Sequence, residues 1–506
     1  VGYAKLRQGP ADANYGHRPW RVTGTLSQRE NWHRFLRPMT PRNLKSTAGK
    51  KRPSGPVPAL RPEPELRHIA QTVLRLAKAR GIAETEVHLD EHIEALTRFA
   101  NNAIHQHVAE QGLSVSIRTV VDSRTARVTT NRLDEDSLRT ALENSLSLAS
   151  QQPRDPHLLP LPAKQNYRPV RRFHPATALL SAEDRSRAVK QACQMAERRG
   201  QVAAGIFSSG QSQSLLANSS GLSAFYRQTH ATFSVTMQQG SATSWAKGNS
   251  GDVRQFDPLA LAKTASEKAA RAQNPVELAP GHYTVILEPA AVLDLVGFLF
   301  YDFAATAVAD KRSCLSGRVG KALLGKNITI FDDVYHPSQL GAPFDGEGIP
   351  RRRVTLVDHG VVRNLVYSRG SAQKARTKPT GHGFALPNEY GEAPMNLVVQ
   401  GESTSVEEMI ASTERGLLVT RFWYIREVDP YEKIMTGMTR DGLFLVEKGK
   451  IVRAARNFRF NQSVLEMLRN VECLGPARRA TGEEAFEMVV PPMKVGNFHF
   501  SEVTKF

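Results

Sequence analysis

Residues 289–309 read PAAVLDLVGFLFYDFAATAVA, an almost unbroken apolar run about as long as a bilayer is thick. Such a run has to be hidden from water, in lipid or inside protein. Asp294 and Asp302 fall within it, and Glu288 and Lys311 flank it. Two carboxylates in the middle of a lone span are costly, so no membrane is expected and the run reads as one helix buried in a core. Burying a helix on every side takes a long chain. This one has 506 residues, 40% of them hydrophobic and 23% charged, which suits about two or three globular domains. Its cysteines, Cys193, Cys314 and Cys473, are too scattered for a disulfide scaffold or a cysteine zinc finger, which suits a reducing, cytoplasmic location.

The net charge of +18 divides unevenly along the chain. Residues 1–65 hold 13 Lys/Arg against 4 Asp/Glu, and the remainder holds 54 against 45. Half of the excess therefore sits in a short tail with Pro53, Pro56, Pro58, Pro62 and Pro64, no periodic apolar face and no leader-like apolar block. The tail reads as a disordered basic linker; a nucleic-acid arm is the alternative. The rest carries a mild, dispersed surplus, and aromatic residues at 7% are too sparse for a base-stacking surface, so nucleic acid is not expected as a partner.

Four segments are expected: the tail 1–65, an N-terminal α+β domain 66–165, a middle α+β segment 166–279 and a β-rich C-terminal domain 280–506. Helical spacing begins at residue 66, and Asp134 or Asp136, Ser181 with Asp184, Asp257 before Pro258, and Ser405 with Glu408 mark further helix starts. Val87 and Leu89, then Val115, Ile117, Thr119 and Val121, alternate as strands do. Asp358-His359-Gly360 and Glu447-Lys448-Gly449-Lys450 lie between strand-like runs and predict hairpins. The fold class is α+β, helices layered on an antiparallel sheet, followed by the large β-rich part.

No complete catalytic set emerges from the residues alone. His88-Leu89-Asp90-Glu91-His92 matches an inverted zincin motif, but its neighbours alternate with period two, and it reads as a surface turn. His105 and His107 lack a third ligand nearby, and His336, His359 and His382 fall in loops. An independent metallopeptidase using His88, His92, His105 or His107 is the reading left open by these pairs. A Gly-x-Ser-x-Gly turn and a phosphate loop are absent, and Gly346-Glu347-Gly348 lacks the rest of a dinucleotide fingerprint.

Several separated motifs, in order, resemble the TldD/PmbA family. They are RFANNAIHQ from Arg98, Thr130-Asn131, Leu133-Asp134-Glu135, Ile330-Phe331-Asp332-Asp333, Phe344-Asp345-Gly346-Glu347-Gly348, Pro379-Thr380-Gly381-His382-Gly383, DGLFLVEKGK from Asp441, and 491–500. The resemblance covers roughly residues 66–506. It implies a cytoplasmic metallopeptidase system, in which a zinc-bearing TldD subunit pairs with a PmbA/TldE subunit lacking the metal and the pair cleaves flexible or unfolded peptide. It also implies that the zinc motif His-Glu-x-x-x-His would fall with its histidines on Val296 and Tyr301 and its glutamate on Gly297, and no cysteine stands near Thr481-Gly482-Glu483-Glu484 for the third ligand. The chain therefore resembles the PmbA/TldE type, with no catalytic residue or metal of its own, zinc only in a TldD-like partner, and a dimer with that partner. Thr380, Gly381, His382 and Gly383, with Asn396, are the places expected to meet substrate; a simple tight turn is the competing reading. The rival function is a nucleic-acid or topoisomerase-associated factor using the basic tail.

Overall fold

The computed structural model describes residues 59–482 and 487–504. Most of the expected tail, 1–58, lies outside the described residues. The described residues form one compact unit. The first helix, α1, spans Glu63–Ala79, so the boundary expected at 65/66 falls inside it.

Three antiparallel strands follow, β1 Glu84–Ala100, β2 Ala103–Val121 and β3 Arg124–Thr130, then α2 Glu135–Gln151, capped by the Asp134 side chain. A short α3, Pro175–Ala178, leads to α4, Ala182–Arg198, where Ser181 and Asp184 form the capping box their spacing predicts. Next come β4 Val202–Asn218, β5 Ser223–Gln239 and β6 Ala242–Ser250, then α5 Pro258–Arg271 behind the Asp257 cap. These six strands make a single sheet in the order β3-β2-β1-β4-β5-β6. Segments 66–165 and 166–279 thus share one sheet, joined by the β1–β4 pairing. Leu66, Val73, Leu138 and Leu142 of α1 and α2 cover one half, and Val189, Ala196, Ala262 and Ala265 of α4 and α5 cover the other. The motif from His88 to His92 lies within β1 rather than in a turn: His92 is exposed, while His88 Nε2 is hydrogen-bonded to Ser214 at 2.9 Å.

The remainder is mostly strand. It comprises β7 Gly281–Leu287, β8 Ile330–Asp332, β9 Val354–Asp358, β10 Val361–Val362, β11 Leu397–Val399, β12 Arg415–Asp429, β13 Ile434–Glu447, β14 Lys450–Ala454, β15 Phe458–Ser463, β16 Val471–Leu474, β17 Arg478–Ala480, β18 Met488–Val490 and β19 Met493–Val503. One six-stranded sheet runs β10-β9-β8-β11-β18-β17. In the other, β12 pairs with both β7 and β13, so β12, β7, β19, β15 and β13 close into a ring. Phe422, Phe460 and Phe498 are fully buried there; Phe422 stacks on Phe498, and Phe460 packs tilted against both. The α+β class read from the sequence is the class observed.

The apolar run is buried as expected but is not one helix. It forms α6, Pro289–Val296, a 3₁₀ turn, Gly297–Phe303, and α7, Ala305–Ala309. Three anchors explain the breaks. Gly297 follows α6 without a side chain, Ala304 is extended where it bridges Val366, and Asp302 must reach two partners. Its Oδ1 accepts from the Cys314 amide at 2.9 Å and its Oδ2 pairs with Lys433 Nζ at 2.6 Å. Asp294 Oδ2 accepts from the Phe422 amide at 3.1 Å. The aspartates that argue against a membrane span therefore serve as internal braces. Among the described residues no helix is long and apolar enough to cross a membrane.

The β9–β10 hairpin turns on His359 at φ 46° and Gly360 at φ 79°. A Cβ on Gly360 would lie 2.4 Å from the Leu324 carbonyl oxygen. Gly360→Ala is therefore expected to cost about 1–3 kcal/mol, read as a lowered denaturation midpoint, with little change in the folded circular dichroism spectrum.

Candidate functional site

The positions aligned with the zinc motif lie where α6 passes into the 3₁₀ turn. Val296 is buried among apolar side chains, Gly297 offers no donor, and the Tyr301 hydroxyl donates to the Tyr390 carbonyl at 3.2 Å. Cys473 packs against the apolar cluster that includes Ile286 and Met409, a different cluster from that of Val296. Among the described residues no group of three or more His, Cys, Asp or Glu is placed to hold a metal ion. A catalytic zinc needs about three protein ligands and an open position, and these side chains do not fit it.

Residues 380–383 and Asn396 are brought together, but in the interior. His382, 1% exposed, contacts Asp332 Oδ1 through Nε2 at 2.8 Å and Thr380 Oγ1 through Nδ1 at 2.9 Å. Asp332 Oδ2 accepts from the Asn396 amide at 2.6 Å. The Gly383 amide donates to Asp345 Oδ2 at 2.8 Å, and the Gly346 amide to the Gly383 carbonyl at 2.9 Å. Gly381 sits at φ 76°, where a Cβ would meet the Pro350 carbonyl oxygen at 2.3 Å. Three of the motifs that carry the family resemblance therefore converge on one buried hydrogen-bonded brace.

Charge inside this brace is finely divided. Burial alone would raise the Asp332 pKa, but the charge and hydrogen bond of His382, with Arg351, hold it below the usual carboxylate range. Glu347 goes the other way: burial, then the neighbouring Asp345 carboxylate, push it up to about 7. Burial likewise raises Asp345, against hydrogen bonds from Ile349 and Gly383.

A cavity of about 640 Å³, the size of a ligand pocket, opens elsewhere. It is lined by residues 245–251, the 337–340 loop, residues 477–481 and the start of α6. Among the described residues β6 pairs with β5 alone and β17 with β18 alone, so both are sheet edges. Lys268 Nζ lies 2.6 Å from Glu288 Oε2 and 3.2 Å from Thr420 Oγ1 in this lining. Asn396 is not part of the lining, but its Nδ2 donates to the Leu340 carbonyl, and Gln339 Nε2 donates to the Leu397 carbonyl at 2.8 Å, so the strand near Asn396 holds the 337–340 loop. Sequence spacing gave no hint of this cavity, because its walls come from segments far apart along the chain.

The family profile described as the PmbA/TldA metallopeptidase central domain matches residues 175–273, and the profile for the C-terminal domain matches 280–502. Together these span more than half of the sequence. The chain belongs to the TldD/PmbA family. Within that family, a metalloprotease TldD homolog of Buchnera aphidicola (subsp. Schizaphis graminum) is 27% identical across 43% of this chain and 44% of its own length. The chain spans about half the length of the curated relatives it matches. TldE from Thermococcus kodakarensis superposes with a TM-score of 0.78 at 20% identity, covering 86% of this chain and 99% of that one. A Thermotoga maritima protein named as a modulator of a DNA gyrase gives 0.78 at 20% identity, covering 86% and 100%. At such identities the likeness establishes the TldD/PmbA fold.

Proposed function

We propose that this TldD/PmbA-family chain is a PmbA/TldE-type subunit of a cytoplasmic metallopeptidase, supplying peptide binding while a TldD-type partner supplies zinc and cleavage. The observation that carries the reading is that β6, paired among the described residues with β5 alone, lines a cavity of about 640 Å³. A sheet edge presents backbone N–H and C=O groups that an extended peptide satisfies by adding as a strand, with little demand on its sequence. That suits flexible or unfolded segments. The chemistry is assigned to the partner because Val296, Gly297 and Tyr301 offer neither ligands nor a base for water.

The test is reconstitution. The purified chain alone is expected to contain no stoichiometric zinc and to leave casein and flexible peptides intact. Mixed with a TldD-type protein carrying an intact His-Glu-x-x-x-His, it is expected to co-elute as a complex and to raise hydrolysis, and loss of the partner's motif glutamate should abolish that activity. One zinc per chain, with chelator-sensitive hydrolysis by the chain alone, would overturn the assignment.

A further inference from the structure

The charged groups lining the β6 cavity do not cancel. Lys268 is paired with Glu288, Asp252 with Arg254, and Arg479 with Glu487. Arg172 lines the same cavity with no ion pair among the described residues, the Asp333 carboxylate acting on it only at longer range. Its Nη2 donates to the carbonyl oxygens of His336 at 2.9 Å and Val334 at 3.4 Å, which fixes the guanidinium and leaves Nη1 without a hydrogen bond among the described residues. Arg479 reaches the same loop from β17, donating through Nη1 to the Ser338 carbonyl at 3.1 Å. Burial lowers the Arg172 pKa and the nearby Arg479 charge adds to that, while Tyr226 and the Asp333 carboxylate oppose it. Asn249 on β6 has a buried Oδ1, and Arg172 and Arg479 have buried Nε atoms, none with a hydrogen-bond partner among the described residues. A guanidinium with a spare N–H donor beside a sheet edge suits one kind of ligand: an extended peptide that brings a carboxylate.

We propose that this cavity is a carboxylate-reading subsite, in which Arg172, positioned by the 334–339 loop and Arg479, binds an acidic side chain or the C-terminal carboxylate of a peptide lying along β6. The inference rests on the β6 groove reading above and adds a selectivity that strand addition alone does not have. Backbone pairing is indifferent to side chains; Arg172 is not. A charge-assisted hydrogen bond in a partly desolvated wall corresponds to about 10- to 100-fold in affinity.

The experiment uses the full chain and four fluorescent hexapeptides of one β-prone sequence. They carry a central Glu or Gln, each as the free acid or the C-terminal amide. The doubly neutral peptide is expected to bind, and at least one carboxylate to tighten binding by about 10-fold or more, with the gain shrinking as salt rises. The Glu/Gln arm reports side-chain recognition and the acid/amide arm reports C-terminal capture. In Arg172→Gln, whose amide retains a donor for the His336 carbonyl, the preference should vanish while the neutral peptide keeps its affinity. Arg172→Lys should keep part of the preference, and thermal melts of all three proteins check the fold. Equal binding of all four peptides by the unmodified chain would sink the carboxylate subsite and leave the β6 groove standing. Failure to bind any of them would remove the groove reading and the subsite with it.

Discussion

His382→Ala is expected to lower the stability of the fold by about 3–5 kcal/mol at neutral pH, because it strands the Asp332 carboxylate in the interior. Asp332 is 1% exposed, with His382 on Oδ1 and the Asn396 amide on Oδ2. Removing the imidazole leaves one oxygen without its partner, and it opens space beside Thr380. The charge, not the space, dominates the cost. A double variant, Asp332→Asn with His382→Ala, is therefore expected to recover part of the loss, since the residue left behind is neutral. The pH response follows from the low pKa of Asp332, which burial opposes and the His382 charge sustains. A lowered folded-state pKa gives stability that is complete above the unfolded value, near 3.8, and fades as pH falls below it. His382→Ala should erase that acid-side contribution, so the variant and the parent converge at low pH. Denaturation midpoints from pH 3 to pH 8 check this. A variant as stable as the parent, but deficient in peptide binding, would instead place His382 at a substrate.

That prediction bears on what the sequence made legible. Local chemistry was readable: Ser181 with Asp184 and Ser405 with Glu408 form capping boxes, and Asp257 caps α5, because each cap depends on residues a few positions apart. Asp358-His359-Gly360 and Lys448-Gly449 are turns for the same reason, since each pair of central residues takes positive φ. The motif 380–383 stood out as chemically unusual, but its use was not readable. A glycine-flanked histidine in a loop looks alike whether it faces a ligand or a buried aspartate, and Asp332 comes from β8, far upstream. The apolar run at 289–309 failed in the opposite sense. Its composition fixed its burial, but its breaks depend on Lys433, Cys314 and Val366, which only the tertiary fold brings there. The groove was least legible of all. A strand edge is defined by the neighbour it lacks, and Arg172 and Arg479 meet across the fold rather than along the chain.

Glu347 should make the fold lose stability as pH rises, the opposite of Asp332. The residue is 6% exposed and its pKa is pushed up to about 7, first by burial and then by Asp345. Arg369 and Arg118 also face it, and their positive charge opposes that shift without overcoming it. Because the folded-state pKa exceeds the unfolded value of 4.5, the fold favours the neutral acid. That contribution is complete below about pH 4.5 and is lost as pH rises through about 7, a swing of about 3 kcal/mol. Asp345, raised by burial, adds in the same direction. The site lies where this matters, since the Tyr167 hydroxyl donates to the Gly348 carbonyl at 2.8 Å and ties the 345–348 loop to the segment entering the first sheet. Glu347→Gln keeps an oxygen for the Arg369 amide, which now donates to Glu347 Oε2 at 2.8 Å, and cannot ionise. Its stability is expected to fall less between pH 5 and pH 8.5 than the parent's, with the curves crossing so that the variant is the more stable protein on the alkaline side. Urea denaturation at four or five pH values measures the crossing. Parallel curves over that range would mean that Glu347 is already ionised in the folded chain, compensated by Arg369 and Arg118 more fully than its burial suggests.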